Sequence, residues 1–208
     1  MRRSRSYART APIREPYDYV LILCEGGKTE PNYFRALRQA YRLSSANVEI
    51  AKPGANDPLG IVAEADARIT ADRFDRAYCV FDRDGHANYQ QALHVVATCQ
   101  NGRNGRLIAT PSVPCFELWI LLHFAFSTAP YNAVGNNSAC DSVLRALKVH
   151  FSDYSKGHQD VYNRIAAQMT QAMTHARRLT LHNQQTGSEN PATLVHDLVH
   201  YLCNLKKP

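Results

Sequence analysis

Residues 17–34 read YDYVLILCEGGKTEPNYF, and the fold turns on them. Tyr17–Cys24 is a short apolar run rich in β-formers, the composition of a strand buried on both faces. A Gly-Gly turn follows. Thr29 can then cap a helix whose first turn accommodates Pro31, and Phe34, Leu37 and Tyr41 recur at helical spacing. A buried strand that turns directly into a helix is the opening unit of an α/β sheet.

The same alternation continues downstream. Asn47–Ala51 is a second strand. Asn56-Asp57-Pro58 opens a helix to about residue 72, with Ile61, Val62, Ala65 and Ile69 inward. Ala77–Phe81 is a third buried strand, residues 87–100 a helix, and Arg106–Thr110 a fourth strand. This pattern predicts an open parallel sheet of four strands with helices on both faces, over residues 17–125. After residue 138 the strand signal disappears: 138–150, 159–181 and 191–203 read as helices, and Thr180–Asn190 as a polar loop. The expected organisation is a flexible basic arm (1–16), an α/β core (17–125) and a helical C-terminal part (126–208) packed on that core.

A chain of 208 residues with 45% hydrophobic and 20% charged content is ordinary for a globular protein. Its most apolar run, Phe116–Phe126, contains Glu117 and His123 and is too short and polar for a membrane span. The N-terminal arginines lack the apolar stretch of a secretory signal. Six cysteines (Cys24, Cys79, Cys99, Cys115, Cys140, Cys203) include no CxxC pair, so neither a disulfide framework nor a structural zinc is expected, and the cytoplasm is the natural compartment. The formal charge is +6, with Arg2, Arg3, Arg5, Arg9 and Arg14 in the first 14 residues. Such an arm attracts polyphosphate without reading sequence, or serves only solubility.

Ligand sites of open parallel sheets lie outside the carboxyl ends of the strands. Glu25 falls at such an end after the first strand, and Asp82 and Asp84 after the third. If the strand runs that far, period-two geometry points both aspartates the same way. Adjacent carboxylates repel, and a divalent cation relieves the repulsion; Mg²⁺ suits a site of few carboxylates completed by substrate phosphates. The bland reading of Asp82-Arg83-Asp84-Gly85 is a polar turn closing a strand. Gly26-Gly27-Lys28-Thr29 is not a P-loop, because the position five before Gly27 is Ile22. The two glycines instead let the backbone turn tightly beside Glu25, leaving Lys28 and the helix start open to a phosphate. Glu117, inside an apolar run, calls for a metal or a basic partner, or else it is an acid favoured by a helix N-terminus. His123 lies about 600° further round a helix, off the face of Glu117. Lys156 can steady a transition-state phosphate or be a solvated lysine. His196 and His200 have i, i+4 spacing without the remaining elements of a zinc motif, and read as the polar edge of the last helix.

Residues 21–34, together with Phe81–Asp84, Pro114–Phe124, Tyr154-Ser155-Lys156 and Asn190–Thr193, resemble the motifs of RloB-like proteins. The resemblance spans about residues 18–200. That family is associated with phage defence and assigned a Toprim-type fold. Toprim domains, as in topoisomerases, primases and OLD-family nucleases, carry a glutamate after the first strand and a DxD after the third. The resemblance therefore implies Glu25 as general acid/base or metal ligand and Asp82 and Asp84 as Mg²⁺ ligands. Gly27 departs from the more polar residue of many relatives and leaves the acids intact.

The expected activity is a Mg²⁺-dependent (or Mn²⁺-dependent) nuclease of bacterial anti-phage defence. Glu25, Asp82, Asp84 and Glu117 are its metal and catalytic residues, and Lys156 is a catalytic cation. Its expected partners are nucleic acid (DNA or RNA, tRNA included) and an ATPase. The alternative is a nucleic-acid-binding accessory protein without cleavage activity. A primase-like transferase ranks last, because no nucleotide or template motif is present.

Overall fold

In the computed structural model the described residues are 18–45, 47–71, 73–83 and 85–205. The expected basic arm and Asp84 lie outside them. Strand β1 (Val20–Cys24) is wholly buried, as its unbroken apolar composition demands. It feeds α1 (Thr29–Ala40), followed by β2 (Val48–Ala51), α2 (Pro58–Thr70), β3 (Arg76–Asp82), α3 (Tyr89–Thr98), α4 (Gln100–Arg103) and β4 (Leu107–Val113). The Asp57 side chain caps α2 through the Gly60 N–H, with Pro58 at its start. Then come α5 (Glu117–Leu121), α6 (Ala139–His150), α7 (Val161–Ile165), α8 (Met169–Thr186), β5 (Ala192–Thr193) and α9 (Val195–Asn204). No helix among the described residues is long and apolar enough to cross a membrane.

The sheet order is β2-β1-β3-β4-β5, with the first four strands parallel and β5 antiparallel to β4. Alternation along the strands divides the core. Leu21, Leu23, Ala77, Cys79 and Phe81 pack on α2 and α3. Val20, Ile22, Cys24, Tyr78 and Val80 face α1 and the helices of the second half. Tyr33, Phe34, Phe116, Trp119 and Tyr162 meet edge to face there, joining α1, α5 and α7. Tyr201 on α9 donates to Asp18, just before β1.

The structure corrects several expectations. A fifth strand exists; at two residues it is too short for periodicity to reveal, and it delays the last helix to Val195. β4 runs on to Val113 rather than ending at Thr110. Only the end of Thr180–Asn190 is a loop: α8 continues to Thr186, with most of its polar residues toward solvent, and Gly187 ends it in the left-handed region. The helix expected over 87–100 breaks at extended Cys99, and that over 159–181 breaks at a 3₁₀ turn over Ala166–Gln168. His196 is buried, not on a polar edge. Cys115 and Cys140 form a disulfide with Cα atoms 5.7 Å apart, against the expectation of none. Packing of α5 on α6 brings the two together, which their separation of 25 residues cannot announce.

Candidate active site

The carboxyl edge of the sheet is where the acids gather. Cys24 stands opposite Val80 and Asp82 opposite Ser112, so β3 and β4 run to the edge together and β1 stops two residues short of the end of β3. Glu25 extends the ladder by donating its N–H to the Val80 carbonyl at 2.9 Å. Its Oε2 accepts the Asp82 N–H at 3.0 Å, which fixes Glu25 against the end of β3. Its Oε1 lies 2.6 Å from His86 Nε2, an imidazole the sequence reading passed over. β3 stops at Asp82, so strand alternation does not carry on to Asp84. By that alternation Asp82 belongs to the Tyr78–Val80 side of the sheet, the side that holds α1 and α5.

Glu30 is the acid that sequence reasoning missed. It occupies the second position of α1 and is buried, with its carboxylate directly over Gly26. A Cβ on Gly26 would collide with that carboxylate, so a larger residue there would displace Glu30 from its present position. Burial pushes the Glu30 carboxyl up to about 7, and the charges of Glu117 and Glu25 add to the rise. Burial likewise holds the Asp82 carboxyl well above the usual range, reinforced by Glu30, Glu117 and Glu25.

Glu117 begins α5 and is 2% exposed. Its Oε1 accepts from Tyr154 Oη at 3.0 Å, while its Oε2 lies 3.9 Å from Lys156 Nζ and 3.6 Å from Cys140 Sγ. Both expectations for Glu117 therefore hold together: it starts a helix and it has a basic partner. Burial, followed by the neighbouring Glu117, drives the Tyr154 phenol upward, so it remains a hydrogen-bond donor.

Tyr154 and Lys156 arrive on the loop between α6 and α7, which docks against the start of α1. Thr29 does not cap that helix, as had been expected; its Oγ1 accepts the Gly157 N–H at 2.8 Å. Asn32 Nδ2 reaches the Gly157 carbonyl at 3.5 Å. Gly157 sits at φ +84°, and a Cβ there would meet the Lys28 stem at 3.0 Å, so only glycine lets the loop close this tightly. Lys156 consequently faces the acids with an exposed side chain whose charge lowers the pKa of both Glu30 and Asp82.

Four carboxylates (Glu25, Glu30, Asp82, Glu117) thus come together with one ammonium. The upward shifts of Glu30 and Asp82 express a shortage of positive charge. That donor set, all hard oxygen, fits a divalent cation of the Mg²⁺ class, which would favour the ionised acids. Cys115, Glu117 and Cys140 also place a potential ligand atom each within 4.8 Å of the others. With the two sulfurs bonded to each other, that group offers only the Glu117 oxygen.

A family model described as RloB-like protein matches residues 20–202. No curated protein and no solved structure matches the chain.

Proposed function

The chain belongs to the RloB-like family, and from that membership and the acid cluster we propose that it is a Mg²⁺-dependent nuclease of Toprim type, acting in the bacterial cytoplasm in anti-phage defence. One observation carries the reading: acids from the ends of β1 and β3, from α1 and from α5 converge at the edge of the sheet where such folds bind ligands. Nucleic acid is the proposed substrate, and an ATPase the proposed partner.

In this reading Glu25, Asp82 and Glu117 would hold Mg²⁺, with Asp84 as a further ligand. The cation supplies the positive charge against which negative charge develops on phosphoryl oxygen. The chain's own residues do the rest. Tyr154 orients Glu117 by hydrogen bonding to one oxygen, leaving the other beside Lys156. Lys156, half-exposed at the rim, meets the incoming phosphate. The Glu25–His86 pair, 2.6 Å apart, is placed to take or return a proton, a role worth about 10²–10⁴-fold where it operates.

The test is incubation of the purified protein with DNA and RNA substrates in Mg²⁺, Mn²⁺ or EDTA, alongside Asp82→Asn and Glu25→Gln. Cleavage should vanish in EDTA and in Asp82→Asn while the circular dichroism spectrum is retained. Glu25→Gln should be as severe. Cleavage that survives both EDTA and the Asp82 change defeats the proposal. Binding without turnover by the wild type would favour an accessory protein instead.

A further inference from the structure

Between α1 and α7 lies a groove of about 580 Å³. Its polar lining comes from Asn32, Arg35, Arg38 and Gln39 on α1, Ser45 beyond that helix, and Gln159 and Asn163 on the other side. None of its nine lining residues is acidic. Apolar lining is confined to Ala36 and Leu43. Arg38 spends one nitrogen on the Val48 carbonyl at 2.8 Å, which holds its guanidinium in place. Asp160, on the loop before α7, is engaged by Asn163 Nδ2 at 2.7 Å.

Through Asn32 the groove adjoins the loop that carries Lys156. Lys28, Asn32, Arg35 and Gln39 follow one another at spacings of four, three and four, which is a single face of α1. At 1.5 Å per residue this polar stripe covers about 16 Å. Its first member packs on Gly157 and its second bonds to Gly157, the residue next to Lys156. The N-terminal end of the stripe therefore lies one residue along the loop from the lysine that faces Glu117.

We propose that this groove is the track for the backbone of a nucleic acid, with Arg35 as its principal phosphate contact and the side-chain amides as secondary ones. The proposal rests on the hydrolytic reading only for the chemistry at the end of the track. Guanidinium and amide groups are the usual partners of phosphate and sugar. A length of about 16 Å spans several phosphates at 3.4 Å per residue of a strand. A protein partner would need an apolar anchor in a closed pocket, and Ala36 and Leu43 do not provide one. With no aromatic ring in the lining, the track holds backbone and does not read bases.

Fluorescence anisotropy in the Asp82→Asn background with Mg²⁺ tests this, using labelled RNA and DNA of two lengths: a dinucleotide and an oligomer of about ten nucleotides, long enough to reach Arg35. Arg35→Glu should weaken binding of the longer oligomer on the order of tenfold and bring it toward the dinucleotide value. Arg35→Gln should lower the salt slope by about one. Gln159→Glu, on the opposite wall, should weaken the oligomer in the same direction, so the proposal does not depend on one variant folding. Oligomer affinity and salt slope unchanged in Arg35→Glu and Gln159→Glu would overturn the track and leave cleavage by the wild type standing. Arg35-dependent binding in a protein that never cleaves would support the track and count against the hydrolytic reading.

Discussion

Replacing Glu30 by glutamine should stabilise the metal-free protein above neutral pH and leave its stability in acid unchanged. The Glu30 carboxyl is raised from 4.5 to about 7, chiefly by burial and further by the charges of Glu117 and Glu25. A folded-state pKa above the unfolded one means that the native protein binds this proton more tightly. Its contribution is therefore complete below the unfolded pKa of 4.5 and is lost as pH rises toward 7. At about 1.4 kcal/mol per unit, the ionised carboxylate costs the fold up to about 3 kcal/mol above pH 7. Glutamine keeps the shape of the neutral acid and carries no charge to bury. In EDTA, Glu30→Gln should gain up to about 3 kcal/mol at about pH 8, or roughly 6–12 °C in Tm for a chain of this size. At about pH 4.5 the gain should disappear. Adding Mg²⁺ should stabilise the wild type more than the variant, by mass action on the folded state. Urea unfolding at the two pH values, with EDTA or Mg²⁺, measures all three. A gain that is equal at both pH values, or absent at the higher one, would refute the picture of a carboxylate starved of positive charge.

Burial depresses the His123 imidazole from 6.5 to about 4, so the native state keeps it neutral while the unfolded chain protonates it. Stability is then full above 6.5 and falls as pH drops toward 4, by about 3 kcal/mol for this group; urea unfolding at neutral and acid pH should lose that increment, and His123→Gln should flatten it. Gly157→Ala should cost about 1–2 kcal/mol, because φ is positive there and the Lys28 stem is in the way; phosphodiester turnover should fall along with the denaturation midpoint. Tyr154→Phe leaves a buried Glu117 oxygen without its donor, a loss of about 1–3 kcal/mol, and thermal melting with and without Mg²⁺ would register it.

The sheet was legible in the sequence because buried parallel strands are written as unbroken apolar runs, and Glu25 and Asp82 were legible because such strands put chemistry at their carboxyl ends. Glu30 stood in the same quoted motif. An acid in the first turn of a helix ordinarily faces solvent and the dipole, and only Gly26 beneath it gives away that this one points inward. His86 and Tyr154 were hidden by distance along the chain: nothing local to either residue says that it will meet Glu25 or Glu117. Polar composition at Thr180–Thr186 was mistaken for a loop, although Gln, Asn and His are tolerable on the outer face of a helix that Gly187 ends. The cysteines misled for a similar reason, since spacing rules find local motifs and not residues that packing brings together.

The hydrogen bond from Gly157 to Thr29 joins residues 128 positions apart, and this sets a timetable for the chain as it is made. At about 5–20 residues per second, a ribosome takes on the order of ten seconds to travel from one partner to the other. Once residue 82 is made, Glu25, Glu30 and Asp82 have all been synthesised, and Lys156 follows only 74 residues later. The last wall of the site is thus installed after nearly three quarters of the protein exists, and a product that terminated before residue 154 would carry the acids without the tyrosine that aims Glu117.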